Sequence, residues 1–320
     1  MPQVAIIGNS TWGNTLAALL GDNGTLVRLW TRGESEAKEL NQETHSYFST
    51  HNIKEALDKA DLVIWAVPSQ KLRQNVILAK SYLTKPMLLM SAAKGLEVDT
   101  EKRMSQVIAE EIPPNLREQI CVLSGPNLAK EIARGLPAAS VIASHDITIA
   151  EKARAVMKCA NFALFTSDDI IGVELGGTLK NIVALGAGIV DGLGLGDNAK
   201  AAFTTWGWTE LVSLGVALGG KTNTFYDLAG LGDLIATCAT NVSRNHYLGY
   251  ELAKGRLLSE IHASMSQVAE GVYTTRVAHR LAQEHGVKLP ITDIIYNILF
   301  HDLPIEKAKI GFQRMIESYH

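Results

Sequence analysis

Lys180 lies in the middle of an apolar, glycine-rich stretch, residues 171–193, which has the periodicity of a helix. On such a helix one face carries bulky aliphatic side chains, and the opposite face carries Lys180 among small residues. These small residues are Gly176, Gly177, Ala184, Ala187 and Gly188. One interpretation is that Lys180 projects into a crevice and carries out acid–base or electrostatic chemistry there. The alternative is close helix packing with the lysine at its edge, and this stretch taken alone favours that alternative.

A glycine-containing turn near the start of the sequence has the form of a dinucleotide-binding loop. The apolar run 4–7 is followed by Gly8-Asn9-Ser10-Thr11-Trp12-Gly13 and then by a helical pattern. Gly8 would permit the tight turn, Gly13 would let the helix pack on the strand, and the N–H groups of the helix start would face a pyrophosphate. Ser10 occupies the place of the middle glycine, so we expect the backbone to approach the pyrophosphate less closely. An ordinary turn between a strand and a helix is the alternative.

The end of the second predicted strand indicates which dinucleotide would bind. Sites specific for NAD place a carboxylate there, on the ribose 2′-hydroxyl. Here Thr31 and Arg32 occupy that place, and the first carboxylate is Glu34. Because a guanidinium can pair with a 2′-phosphate, we predict that NADP(H) is favoured. Binding of NAD(H) through Glu34 remains the alternative, and Arg32 would then be an ordinary surface residue.

Two polar segments follow predicted strands. Lys94, in the run SAAKG, follows the fourth strand, and Gly125-Pro126-Asn127 follows the fifth. Open α/β sheets bind their ligands at the carboxyl ends of the strands, so both segments are candidates for ligand binding. A lysine in a solvated loop is the simpler interpretation of Lys94 taken alone.

The C-terminal half contains a candidate anion site. Ser243 is a good N-cap for a helix whose first turn holds Arg244 and Asn245. The free N–H groups of such a turn and the fork of a guanidinium both suit a phosphate. Asp233 lies in the apolar run LAGLGDL, where a carboxylate needs a specific partner and a lysine is the natural one. Capping without any ligand is the alternative for the serine.

Two kinds of domain position these residues. Strand-like apolar runs alternate with helical runs up to about residue 166, and only helical periods continue beyond it. We therefore predict an α/β, Rossmann-type, doubly wound N-terminal domain (1–168) followed by an all-α, substrate-binding C-terminal domain (169–320). The cleft between two such domains is the default ligand site. The predicted strands are 4–7, 26–30, 61–67, 87–92, 120–123, 139–143 and 162–165. The predicted C-terminal helices are 171–193, 199–218, 224–237, 244–254, 274–284, 292–300 and 305–317.

Composition excludes several classes of protein. Hydrophobic residues make up 47% and charged residues 20% of the 320 residues, as in an ordinary globular chain. The net charge of -3 gives no basic footprint for nucleic acid. Three widely spaced cysteines and no H-E-x-x-H pattern argue against disulfides and a metal site. Without a signal peptide or an apolar run long enough to cross a bilayer, we expect a cytoplasmic protein that does not insert into membranes.

Long ordered motifs make the chain resemble one family. The motifs are GNSTWGNTLA, SAAKGLE, LSGPNLAKEIARGLP, GVELGGTLKNIVALGAGIVDGLGLGDNAKAA, LAGLGDLIATC, SRN, VAEGVYT and LPIT. Over nearly its whole length the chain resembles bacterial-type NAD(P)-dependent glycerol-3-phosphate dehydrogenase. The resemblance implies reversible reduction of dihydroxyacetone phosphate to sn-glycerol 3-phosphate by hydride transfer from NAD(P)H, supplying glycerophospholipid biosynthesis. A homodimer is only the default expectation for such an enzyme.

The resemblance also implies a role for each matching residue. Lys180 would be catalytic, and in the reaction that this implies Asp233 could orient it. Substrate would be bound by Lys94, Gly125, Asn127, Lys180, Asp233, Ser243, Arg244 and Asn245. Cofactor would be bound by Thr11, Trp12, Arg32, Gly33, Lys94, Ala129, Arg244, Val268 and Glu270, together with Gly8, Ser10 and Gly13 of the predicted dinucleotide-binding loop. The small-residue face of 171–193 would then be a wall of the cleft, its glycines leaving room for nicotinamide and triose phosphate beside Lys180.

Four positions depart from the family pattern. Ser10 replaces the usual glycine, Thr11 replaces a serine, Asn127 stands where a serine is expected, and Trp206 stands where an arginine is expected. These departures bear on affinity and cofactor preference. Two other functions stay open on the sequence: a dehydrogenase of similar architecture acting on a β-hydroxy acid or an imine, and a catalytically silent NADP-binding sensor.

Overall fold

The chain folds into two compact units. The computed structural model describes residues 1–43, 45–239, 243–265, 269–307 and 309–310. The first unit comprises Met1–Lys94 and Lys102–Glu174, and the second comprises Gly95–Glu101 and the chain from Leu175 onward. The segment Gly95–Glu101 thus belongs with the second unit, although first-unit residues flank it in sequence. The division at residues 168 and 169 stays a prediction.

The first unit is built on one eight-stranded sheet. Its strand order is β3-β2-β1-β4-β5-β6-β7-β8, and every pair is parallel except β6 with β7. The strands are β1 (Gln3–Ile7), β2 (Leu26–Trp30), β3 (Phe48–Thr50), β4 (Leu62–Trp65), β5 (Leu88–Ser91), β6 (Ile120–Ser124), β7 (Ala138–Ala143) and β8 (Phe162–Ser167). Its helices are α1 (Thr11–Asp22), α2 (Glu34–Gln42), α3 (Ile53–Leu57), α4 (Leu72–Ala79), α5 (Met104–Glu111), α6 (Ala129–Ile132) and α7 (Ile147–Val156).

The central strands are buried on both faces, as continuous apolar runs predict for a covered parallel sheet. Val4 and Ile6 of β1 and Leu62 and Ile64 of β4 join one core with Leu16 of α1. The predicted fold class is confirmed for this unit. Two details differ from the prediction. Strand β3 was missed because three residues at a sheet edge are too short to show alternation. The antiparallel pairing of β6 with β7 cannot be distinguished from parallel pairing in the sequence, because both strands are apolar runs.

The described part of the second unit is helical. Its elements are α8 (Ile170–Gly192, whose first residues belong to the first unit), α9 (Asp197–Ala217), α10 (Thr222–Phe225), α11 (Asp233–Cys238), α12 (Arg244–Ala253), α13 (Leu258–Ser264), α14 (Glu270–His285) and α15 (Pro290–Phe300). The predicted all-α class is confirmed. The helix predicted at 305–317 lies mostly outside the described residues.

The single helix predicted at 224–237 is wrong. The chain forms α10, then a π-helical turn at Leu228–Gly232, and then α11. The Asp227 side chain accepts a hydrogen bond from Leu228 N and so starts a new turn. A Cβ on Gly230 would lie 2.2 Å from Phe225 O, so this close return of the backbone needs glycine. Helix α13 was also missed.

Helix α8 is long and apolar enough, by length and composition alone, to cross a membrane. However, 94% of the most apolar 18-residue stretch of this helix is buried inside the protein. A buried core helix passes the same test of length and hydropathy. The sequence expectation that no run is long enough therefore underestimated this helix.

Candidate active site

The turn between β1 and α1 requires both of its glycines. Gly8 has φ +121°, and a Cβ there would lie 2.6 Å from Val67 Cγ1. A Cβ on Gly13 would lie 2.1 Å from Gly8 O, so any side chain would push the helix away from the turn. The turn has the tight form and the close helix contact that a dinucleotide-binding loop needs.

Ser10 replaces the middle glycine without backbone strain. Its φ of -93° and ψ of 163° are extended values that any residue adopts. Ser10 Oγ donates to Ala66 O at 2.7 Å and accepts from Gly13 N at 3.0 Å, so the serine caps α1 and ties it to the end of β4. Thr11 and Trp12 follow in the first turn, and Trp12 packs partly buried against the core of the sheet.

The end of β2 presents an exposed cation. Thr31 is buried and donates to Gly33 O at 2.8 Å, which shapes the turn into α2. Arg32 is exposed, and among the described residues no ion pair involves it. Glu34 is paired with Lys38 at 2.8 Å, and the hydrogen bond from Lys38 lowers the pKa of Glu34. Arg32 therefore has no ion-pair partner among the described residues.

The ends of β5 and β6 meet through Lys94. Lys94 Nζ donates to Gly125 O at 2.7 Å. Gly125 has φ +150°, and a Cβ there would lie 2.9 Å from Ser140 Cα, so this position also requires glycine. The structure thus brings Lys94 and Gly125 together, with Asn127 and the first residue of α6, Ala129, close behind in the chain.

The amide of Asn127 has a fixed orientation. Ser140 Oγ donates its hydrogen to Ser124 O at 2.9 Å and therefore accepts from Asn127 Nδ2 at 3.1 Å. Asn127 Oδ1 is buried, with no hydrogen-bond partner among the described residues. The asparagine at this departure from the family pattern thus uses its donor internally and leaves its acceptor unsatisfied.

Lys180 is the centre of a buried polar cluster in the second unit. The residue is 7% exposed, and its Nζ lies 2.9 Å from Asp233 Oδ1. The predicted pairing of Asp233 with a lysine is therefore confirmed. Lys180 Nζ also donates to Thr237 Oγ1 at 2.5 Å, and that hydroxyl donates to Asp233 O at 2.6 Å. Because an unpaired buried charge is costly, the carboxylate and the hydroxyl hold the ammonium in one place.

Thr237 was missed by the sequence analysis. It lies four residues after Asp233 on α11, so both side chains face the same side of that helix. This spacing was the available signal.

The start of α12 is capped as predicted. Ser243 Oγ accepts from His246 N at 3.3 Å, and Arg244 and Asn245 occupy the first turn. Desolvation lowers the pKa of Arg244, although the residue as a whole is exposed, and the charge of Glu270, at the start of α14, opposes this. Glu270 and Arg244 therefore lie within electrostatic range of each other. Val268, the other late residue predicted to contact cofactor, lies outside the described residues.

The Asn245 side chain is used within the protein. Its Nδ2 donates to Asn181 Oδ1 at 2.9 Å, and its Oδ1 accepts from Gly271 N at 2.8 Å. A Cβ on Gly271 would lie 2.8 Å from both Asn181 O and Asn245 Oδ1. These bonds join α8, α12 and α14 beside Lys180 and use one of the two hydrogens of the Asn245 amide.

The small-residue face of α8 is a packing face at two of its predicted positions. A Cβ on Gly176 would lie 2.9 Å from Ala229 O, and one on Gly188 would lie 2.0 Å from His246 O. At these two glycines the prediction of room for a ligand is wrong, because neighbouring backbone fills the space. Trp206 is half-buried on α9.

Comparison with known proteins identifies the family. A model described as the N-terminus of NAD-dependent glycerol-3-phosphate dehydrogenase matches residues 3–150, and the corresponding C-terminus model matches residues 169–309. The chain belongs to the NAD-dependent glycerol-3-phosphate dehydrogenase family. The resemblance stated from the motifs is confirmed.

Individual relatives agree with this membership. An NAD(P)+ glycerol-3-phosphate dehydrogenase of Dehalococcoides mccartyi is 52% identical in an alignment that covers 96% of this chain and 89% of the relative. One from Moorella thermoacetica is 43% identical and covers 95% of this chain and 93% of its own. The crystal structure of glycerol-3-phosphate dehydrogenase from Coxiella burnetii superposes with a TM-score of 0.90, at 33% identity and 99% coverage of both chains.

Proposed function

We propose that this chain catalyses the reversible reduction of dihydroxyacetone phosphate to sn-glycerol 3-phosphate with a reduced nicotinamide dinucleotide. The observation that carries the proposal is the Lys180 ammonium, held by Asp233 at 2.9 Å and Thr237 at 2.5 Å. Family membership supplies the substrate, because the relatives are glycerol-3-phosphate dehydrogenases. A catalytically silent NADP-binding protein would have no need of an ordered ammonium.

Lys180 acts on the carbonyl oxygen. Reduction adds hydride to the carbonyl carbon and a proton to the oxygen, and the reduced nicotinamide supplies the hydride when it is bound. Lys180 stabilises the negative charge that develops on the oxygen and donates the proton to it. Asp233 and Thr237 orient the ammonium, so that little reorganisation is needed as the charge develops.

The phosphate of the substrate is received at the start of α12. Arg244 offers a planar fork of donors that matches a phosphate, and the N–H groups of the first turn add the positive end of the helix dipole. Ser243 holds this turn in shape by capping it. The free energy of binding the phosphate is used to position the carbonyl for reaction. Lys94, Gly125 and Asn127 complete the proposed substrate contacts.

The first unit holds the dinucleotide, and the glycine cradle of its first turn fits one. Gly8, Ser10, Thr11, Trp12 and Gly13 would bind the pyrophosphate region. Arg32 and Gly33 would bind the adenosine ribose, and the exposed guanidinium supports NADP(H) over NAD(H). The remaining cofactor contacts proposed are Lys94, Ala129, Arg244, Val268 and Glu270.

The test is the absorbance decay of NADPH and of NADH with dihydroxyacetone phosphate. Glyceraldehyde and a hydroxy-acid pair serve as alternative substrates. We expect activity with dihydroxyacetone phosphate. Lys180→Ala should lose turnover and retain cofactor binding. Lys288→Ala, the control, removes an exposed lysine of the same unit and should change neither. Near wild-type turnover in Lys180→Ala would sink the catalytic assignment.

Three further parts of the proposal are expectations from the sequence and from its family resemblance. They are a supply role in glycerophospholipid synthesis, a cytoplasmic location, and a homodimer. Light scattering on the protein as it elutes from a size-exclusion column measures the oligomeric state directly.

A further inference from the structure

His246 belongs to a polar cluster outside the site described above. The residue is 4% exposed, and its Nε2 lies 2.6 Å from Asp191 Oδ2. The same carboxylate oxygen lies 2.5 Å from Lys200 Nζ. Burial raises the pKa of Asp191, but hydrogen bonds from Lys200 and His246 outweigh it and hold that pKa below its ordinary value. Asp191 is therefore an ionised anchor at the end of α8, shared by side chains from α9 and α12.

The cluster lies where α8 and α12 touch backbone to backbone. A Cβ on Gly188 would lie 2.0 Å from His246 O, and one on Gly249 would lie 1.9 Å from Leu185 O. Glycine faces let two helices approach each other closely, but they provide no side-chain ridges that would fix the register of the helices along their axes. A directional hydrogen bond does fix it, and His246–Asp191 is such a bond.

His246 belongs to the first turn of α12, immediately after Arg244 and Asn245. Its N–H is the one that Ser243 caps, and its ring is the one that Asp191 holds. His246 thus ties the start of α12 through its backbone and its side chain, next to the bond that Asn245 makes to Asn181 of α8. A shift of about 1 Å in groups that position a substrate can cost roughly a hundredfold in rate.

We propose that His246 is a positioning residue, whose imidazole, held by Asp191 and Lys200, sets the place of the helix start that receives the phosphate of the substrate. This inference rests on the proposed function. His246 itself touches neither substrate nor cofactor in the proposed reaction.

The experiment compares two substrates that differ only in the phosphate. Dihydroxyacetone lacks the group that the start of α12 would bind, so its kcat/KM should stay within about twofold in His246→Leu. For dihydroxyacetone phosphate we expect KM to rise roughly tenfold or more, with the KM for NADPH unchanged. His246→Gln, which keeps an N–H donor near the position of Nε2, should restore most of the loss.

His279→Leu is the matched control. His279 pairs with Asp293 at 2.8 Å in the same unit, so this variant removes a comparable pair away from α12 and should leave all three constants unchanged. Should His246→Leu not fold, Lys200→Gln carries the test, because it removes one of the two partners of Asp191.

Two results overturn the inference. One is an equal loss of kcat/KM for both substrates, as a purely structural role would produce. The other is an unchanged KM for dihydroxyacetone phosphate in folded His246→Leu or, where that variant does not fold, in folded Lys200→Gln. A wild-type protein that reduces neither substrate with either cofactor would instead remove the proposed function, so the two failures are distinguishable.

Discussion

Glu210, on α9, is a carboxyl group that titrates near neutral pH. Its oxygens accept hydrogen bonds from Ile291 N at 2.8 and 3.1 Å and from Thr292 N at 3.2 Å, in the first turn of α15. Burial raises the pKa of Glu210 to about 7, and the bonds from these N–H groups oppose the rise only in part. The folded chain therefore holds a proton on Glu210 that the unfolded chain has already released.

The sign of the effect on stability follows directly. Below pH 4.5, the ordinary pKa of a glutamate, Glu210 is protonated in both the folded and the unfolded state, so it adds no pH dependence to the free energy of unfolding. Between 4.5 and about 7 the folded state binds more protons than the unfolded state, so the free energy of unfolding falls as pH rises. At about 1.36 kcal/mol for each tenfold change in proton affinity, the whole fall amounts to ~3 kcal/mol.

Glu210→Gln tests this reasoning, because glutamine is the neutral analogue of the protonated carboxyl. Urea unfolding of variant and wild type at about pH 5 and about pH 8 gives the difference in unfolding free energy at each pH. Between the two conditions we expect the unfolding free energy of the variant to rise by ~2.5 kcal/mol relative to that of the wild type, because part of the fall lies below pH 5. Taking the difference cancels other titrating groups, and Glu284→Gln, at an exposed position of the same unit, should show no such gain. A difference that stays flat, or falls as pH rises, would refute the argument.

Three other predictions follow from contacts in the two units. Thr237→Val removes a hydrogen bond to the Lys180 ammonium and should lower kcat by about tenfold to a hundredfold with KM for cofactor unchanged; an unaltered kcat would contradict the orienting role. Arg32→Gln should raise the KM for NADPH by roughly tenfold and leave that for NADH alone, and equal effects on both would count against 2′-phosphate binding. Gly188→Ala places a Cβ 2.0 Å from a backbone oxygen and should cost about 2 kcal/mol of stability in urea unfolding, whereas Gly207→Ala, with its nearest atoms at 3.6 Å, should be neutral or stabilising.

Local features could be predicted from the sequence because local chemistry determines them. Gly8 and Gly13 are imposed by the geometry of one turn, and Ser243 caps a helix through a bond within three residues. The pairing of Asp233 with a lysine followed from the cost of burying a lone carboxylate, which is the same wherever it occurs. The buried parallel strands were found because their composition differs from that of the helices between them.

Features that depend on distant segments could not be predicted in the same way. The bonds of Asn245 to Asn181 and Gly271 join three helices, and nothing in the run SRN marks them. The turn at Leu228–Gly232 interrupts a helical pattern because Gly230 meets Phe225 O, a contact that is visible only once the chain has folded back. A glycine face on a helix has the same sequence whether a ligand or a backbone lies against it.

That last ambiguity has a physical resolution in α8. Gly176 meets Ala229 O, and Lys180, four residues later, meets Asp233, four residues after Ala229. One turn further along both helical segments, the side chains of Lys180 and Asp233 therefore form an ion pair across the same close approach. At the other end of α8, Gly188 meets His246 O and Asp191, three residues later, meets the His246 ring. The glycines do not make room for the substrate at these points. They bring the backbones of residues 229–230 and 246–250 close enough for Asp233 to hold Lys180 and for α12 to be fixed against α8, so the small-residue face sets distances within the proposed catalytic site.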